Sequence, residues 1–152
     1  MKNEGEQMIR IRHTGVYVQD MDVQKAFYEQ TLGMSVKVHQ VEKGAYINTL
    51  LGTDTESEVE TCKLAADDGS MIELCKINPG VGKDNNSVSL FAAGNMHIAI
   101  TVKNVASEYE RLRSMGLSVV SEPQLSPDGG AKVFFCQDPE GNYLELVEEV
   151  TR

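Results

Sequence analysis

No part of this sequence is apolar for long. Its hydrophobic runs extend only a few residues, whereas a membrane-spanning helix needs roughly 20. No membrane partner is therefore expected. Positive charge is also scarce. There are 14 Lys and Arg against 23 Asp and Glu, giving a net charge of -9, and no four basic residues stand together. Phosphate backbones and anionic lipid surfaces are held by clustered cations, so nucleic acid is excluded as an expected partner. Cysteine is sparse and odd in number, at Cys62, Cys75 and Cys136. Without a CxxC pair, neither a disulfide framework nor a zinc ribbon is indicated. Burial as small apolar strand residues is the simpler reading of all three. The opening, Met1 to Gln7, is polar and lacks the apolar core of a signal peptide. A reducing, cytoplasmic setting is the expectation.

What remains is ordinary globular composition, with 41% hydrophobic and 24% charged residues in a chain of 152. That length suits one domain. The sequence reads as one unit written twice, with the domain expected over 8–152: a module at 8–77, a linker at 78–95 and a module at 96–150.

The segment His13-Thr-Gly-Val-Tyr-Val-Gln-Asp20 matches His97-Ile-Ala-Ile-Thr-Val-Lys-Asn104. Each starts with His, alternates through small or apolar residues, and ends on a residue that suits a helix N-cap. Helices follow. Val23, Ala26 and Phe27 are expected on the packed face of the first, and Val105, Tyr109 and Leu112 on that of the second. Gly33 and Gly116 mark the stops, because glycine tolerates the left-handed backbone that ends a helix. Gly33-Met-Ser-Val36 then mirrors Gly116-Leu-Ser-Val119. The halves also end alike, with Asp67-Asp-Gly-Ser-Met-Ile-Glu-Leu74 mirroring Asp138-Pro-Glu-Gly-Asn-Tyr-Leu-Glu-Leu146. Each half therefore reads strand, helix, then three strands. The first half also holds Gly44-Ala-Tyr-Ile-Asn-Thr-Leu-Leu-Gly52. This is a short helix or a strand with a turn, and periodicity over so few residues does not decide.

Each half places one His on its first strand and one Glu on its last. Side chains alternate across a strand, so Glu73 faces away from Ile72 and Leu74, and Glu145 faces away from Leu144 and Leu146. If those neighbours pack on the helices, the carboxylates point to the other face. There a carboxylate must be hydrated, paired or bound to a cation. A lone His at a strand start, or a lone Glu on a strand, is ordinarily just hydrogen-bonded or solvated. It is the recurrence at matching places that makes His13, Glu73, His97 and Glu145 a candidate ligand set. Such mixed nitrogen and oxygen donors suit one divalent ion of Zn, Ni, Co, Mn or Fe(II). His39, in Val36-Lys-Val-His-Gln40, has no counterpart and reads as a solvent-facing strand residue. The acidic stretch from Asp54 to Glu60 reads as a solvated turn.

The segment from His13 to Asp20, with Phe27-Tyr28 and Leu32-Gly33-Met34, resembles the opening of vicinal-oxygen-chelate proteins, the glyoxalase I, bleomycin-resistance and extradiol-dioxygenase-like superfamily. Asp138 to Leu146 resembles their closing motif. The resemblance runs from about Arg10 to Glu149. It implies an α+β fold of tandem βαβββ modules, forming a cupped mixed sheet with helices outside, often with the site at a homodimer interface. It puts the usual ligands on His13, Glu73, His97 and Glu145, and a proton-moving carboxylate on Glu145 or Glu73, with Glu145 preferred. The substrates it implies are small molecules that chelate a metal through neighbouring oxygens.

The activity so implied is a glyoxalase I-like lyase or isomerase. The alternatives are a methylmalonyl-CoA-type epimerase and a non-catalytic antibiotic-binding or resistance protein. Tyr17 stands where the glutathione-dependent enzymes commonly carry Arg, and Ile77 where they carry Asn. Both departures weigh against lactoylglutathione as substrate. Residues 46–49 lack the second Glu base common in the epimerases, and Glu73 exceeds the two His and one Glu of fosfomycin-type enzymes. The Gly44 to Gly52 segment resembles a stretch found in a broad glyoxalase-like subgroup. It makes a candidate pocket wall, with Tyr46 and Tyr17 as candidate substrate contacts, and plain packing as the equal alternative.

Overall fold

A computed structural model describes residues 10–80, 89–90 and 92–150. The chain divides into two compact units, Met1–Gly82 and Lys83–Arg152. Part of the linker expected over 78–95 lies outside the described residues. Each unit holds a four-stranded mixed sheet, and with three helices among the described residues the fold is α+β.

The first unit runs β1 (Thr14–Tyr17), α1 (Met21–Ala26, continued by a π-helical turn over Phe27–Thr31), β2 (Ser35–Lys43), α2 (Ala45–Leu51), β3 (Glu58–Ala65) and β4 (Met71–Asn78). Its sheet order is β1-β4-β3-β2, with β1 parallel to β4 and the remaining pairs antiparallel. The second unit runs β5 (His97–Thr101), α3 (Val105–Ser114), β6 (Gln124–Leu125), β7 (Ala131–Gln137) and β8 (Tyr143–Glu149). Its order is β5-β8-β7-β6, again with the first and last strands parallel. Parallel neighbours cannot be joined by a hairpin. In each unit the helix and the middle strands make the crossover.

Both helices start as their sequences dictate. Asp20 Oδ1 accepts from the Val23 amide at 3.1 Å, and Asn104 Oδ1 accepts from the Ser107 amide at 2.8 Å. Each satisfies a donor the helix itself cannot. In the second unit the Glu148 carboxylate also accepts from the Val105 amide at 2.8 Å, tying the start of α3 to β8. Gly33 and Gly116 follow their helices with φ of 77° and 80°.

The packed face of α3 is Val105, Tyr109 and Leu112, as the spacing predicts. Tyr109 meets Phe134 edge to face at 5.5 Å between ring centroids. The packed face of α1 differs from expectation. Met21, Gln24, Phe27 and Tyr28 are buried, while Val23 is 47% exposed. The cap at Asp20 makes Met21 the first helical residue. Met21, Gln24 and the Phe27–Tyr28 pair then share one face, and Val23 turns away from it. Under these helices lie Cys62, Leu64, Ile72 and Leu74 in one unit and Phe134, Cys136, Leu144 and Leu146 in the other, all buried.

The segment left open by periodicity is a helix, α2. Gly44 at φ 97° precedes it and Gly52, left-handed at φ 63°, ends it. Ser57 is buried and β3 begins at Glu58. The acidic stretch is therefore a turn only in its first part. No helix among the described residues is long and apolar enough to cross a membrane.

Candidate functional site

Glu73 lies between buried Ile72 and Leu74 on β4, so its carboxylate emerges on the sheet face away from α1. β1 brings His13 to the same face, because Gly15 is the register partner of Glu73 and His13 sits two residues before it. The imidazole Nε2 is 2.9 Å from Glu73 Oε2. His13 Nδ1 is buried and has no hydrogen-bond partner among the described residues. That fits a tautomer carrying its proton on Nε2 and donating it to the carboxylate.

The second unit repeats the construction residue for residue. Glu145 lies between buried Leu144 and Leu146. Ala99 is its register partner on β5, and His97 sits two residues before Ala99. His97 Nε2 is 3.1 Å from Glu145 Oε2. All four expected ligand residues therefore occur as two His–Glu pairs, one in each unit. Among the described residues no three His, Cys, Asp or Glu side chains cluster closely enough to hold an ion together.

Each pair suits one edge of a metal polyhedron. With bonds of roughly 2.1 Å, two adjacent ligands of a six-coordinate ion lie about 3 Å apart. The nitrogen–oxygen separations of 2.9 and 3.1 Å lie close to that spacing, as hydrogen-bonded pairs also do, and Nε2 would ligate only after releasing the proton it donates to the carboxylate. Neutral imidazole with carboxylate is also the donor chemistry of borderline divalent ions. Each pair by itself fits a divalent ion in donor type.

One charged contact was not anticipated from the sequence. Lys63 on β3 is the register partner of Glu73, and its Nζ lies 3.3 Å from Glu73 Oε1. Glu73 is thereby engaged at both oxygens. The matching position in the second unit is Phe135, the register partner of Glu145. Its ring meets the His97 imidazole edge to face at 5.2 Å. The alternation of Lys63 with buried Cys62 and Leu64 is the signal that could have placed it on the open face.

Among the remaining candidates, Tyr17 is the register partner of Cys75, on the same face as Glu73, and is 70% exposed. Tyr46 on α2 is 68% exposed. His39 is not simply solvated, since its Nε2 lies 2.7 Å from Glu60 Oε1. Cys62 and Cys136 are buried and Cys75 is partly so. Burial, reinforced by the neighbouring Glu73 charge, pushes the Cys75 thiol up to about 11. Burial, with a smaller contribution from Asp138, pushes Cys136 up to about 11 as well. Neither thiol is a thiolate nucleophile near neutral pH.

Comparison with known proteins places the fold and the family. Residues 10–146 match the family described as the Glyoxalase/Bleomycin resistance protein/Dioxygenase superfamily. The YwbC protein of Bacillus subtilis is 28% identical over 140 residues, covering 91% of this chain and 97% of its own. A probable lactoylglutathione lyase of Vibrio cholerae is 32% identical over 143 residues, covering 91% and 90%. Among solved structures, a glyoxalase family protein from Bacillus cereus superposes with a TM-score of 0.86 at 21% identity, covering 98% of this chain and 99% of that one.

Proposed function

The chain belongs to the Glyoxalase/Bleomycin resistance protein/Dioxygenase superfamily, and from that membership we propose that it is a divalent-metal-dependent lyase or isomerase of the glyoxalase I type. It moves a proton next to a carbonyl on a small, metal-chelating substrate. In this reading His13, Glu73, His97 and Glu145 hold one divalent ion. The observation that supports it most is the duplicated His–Glu pair, built at the same register in both sheets, at 2.9 and 3.1 Å.

A divalent ion held by these residues would supply Lewis-acid polarisation of neighbouring substrate oxygens. The remaining steps belong to the chain. Glu145 is the carboxylate that takes the proton from the carbon beside the carbonyl and returns it to the product. The distinction from Glu73 lies in the contacts. Glu73 is engaged by both His13 and Lys63, whereas His97 is the one ion-pair partner of Glu145 among the described residues. Phe135 keeps the His97 ring in place while that carboxylate moves. Tyr17 and Tyr46 serve as substrate contacts. Tyr17 and Ile77 stand where glutathione-dependent members carry Arg and Asn, so the substrate proposed is not a glutathione conjugate. A second copy of the chain is proposed as partner, in a homodimer testable by sedimentation.

The test is metal uptake followed by solvent exchange. Dialysis against Zn, Ni, Co or Mn should load the protein. The loaded protein should exchange the α-proton of a turned-over chelating carbonyl compound for solvent deuterium, and Glu145→Gln should lower that exchange by about a hundredfold or more. A protein that takes up none of these ions at millimolar concentration would sink the proposal.

A further inference from the structure

Lys63 is the one Lys or Arg among the described register positions on the open face of the first sheet, and the second sheet has none on its open face. In a chain of net charge -9, a cation set directly opposite a candidate metal ligand calls for an account. Its side chain is 25% exposed and Glu73 is 15% exposed. The pair is therefore substantially shielded, and the ammonium acts there more strongly than it would at an open surface.

The charges of the proposed centre show what Lys63 adds. A divalent ion held by the four residues would be neutralised by the two carboxylates of Glu73 and Glu145, with the two imidazoles as neutral ligands. Lys63 would then leave one positive charge over. An ammonium has three donors, and Glu73 Oε1 engages it from one side at 3.3 Å, so donors remain for a ligand arriving on the same face. A neutral chelating molecule would leave that charge uncompensated. A singly charged one would balance it.

We propose that Lys63 is a specificity-determining residue that selects substrates whose chelating oxygens carry one negative charge, such as a carboxylate next to a carbonyl or hydroxyl carbon. This rests on the metal-dependent reading above. Phe135, holding the same place in the second unit, makes no such contribution, and the preference comes from one module alone.

The test uses the full chain loaded with Co(II), whose visible absorption reports ligands entering the metal's coordination. Lactate and lactamide are the probes. They share shape and chelating oxygens and differ in charge. Wild type is expected to bind lactate at least about tenfold tighter than lactamide, in keeping with a charge-assisted hydrogen bond. Lys63→Met and Lys63→Gln should lose about tenfold in lactate affinity with lactamide unchanged, and Lys63→Arg should retain the preference. Equal lactate binding by wild type and Lys63→Met would overturn the inference while leaving the metal reading intact. So would parallel loss of both probes, or failure of both neutral variants to take up Co(II), since Lys63 would then only position the ligand Glu73. Failure of the wild type to take up Co(II) and equally Zn, Ni and Mn would overturn the metal reading and this inference with it; if another of these ions loads instead, the same probes are compared by calorimetry with the same outcomes.

Discussion

The two modules share a backbone plan and a His–Glu pair, yet they hold that pair differently. In the first, Lys63 holds the carboxylate, at 3.3 Å from Glu73 Oε1. In the second, Phe135 holds the imidazole, with ring centroids 5.2 Å apart. The two residues occupy the same register position opposite their Glu. The repeat thus keeps one His–Glu pair in each module, while one cross-strand position makes the modules unequal. A charge placed there engages a carboxylate and, in the proposal above, biases the site toward anions. A ring placed there orients the imidazole and leaves its carboxylate less restrained.

The comparison breaks most visibly at the carboxylates. Glu145→Gln is expected to lower proton transfer by about a hundredfold or more, the usual worth of a general base. Glu73→Gln should act chiefly on metal affinity. Deuterium exchange measured alongside metal content separates the two, and equal losses of exchange at full metal loading would remove the asymmetry. Next come the cores. Leu74→Ala and Leu144→Ala each truncate a fully buried residue beside a candidate Glu and should cost about 2–5 kcal/mol in denaturant unfolding. A negligible cost at either would mean that its sheet is not packed under its helix. The caps follow. Asp20→Ala and Asn104→Ala should each cost about 1 kcal/mol. Asn104→Ala should cost the less of the two, because Glu148 already supplies an acceptor at the start of α3. The smallest effect concerns Cys75, two residues along β4 from Glu73. With its thiol pushed up to about 11, it should be alkylated by iodoacetamide at pH 8 far more slowly than a free thiol of ordinary pKa near 8.5. Rapid labelling in the folded protein would contradict the burial described for it.

Much of this was legible in the residues because the repeat carries both levels at once. The His-to-cap segments placed β1 and β5, and the alternation around Glu73 and Glu145 fixed which way those carboxylates face. The same reading placed α3 correctly and misjudged α1, where Met21 and Gln24 are buried instead of Val23. The cap at Asp20 is where the sequence places it, but Met21 and Gln24 share the face of Phe27 and Val23 lies off it. The nature of Gly44 to Gly52 was not legible, because nine residues carry too little periodicity. What settles it is the positive φ of the two bounding glycines. Lys63 was missed because its importance lies in what it stands opposite, and strand register is set by tertiary pairing. The contact of His39 with Glu60 escaped for the same reason, since β2 and β3 bring together residues 21 positions apart.

In the proposed function, two equivalent His–Glu pairs serve one divalent ion. Metal content per chain, measured after saturating dialysis for wild type, His13→Ala and His97→Ala, tests it most directly. Close to one ion per chain is expected in the wild type and a similar, large loss in both variants, because each module would supply half of the ligands. Loss in only one variant, or an unchanged metal content in both, would contradict it.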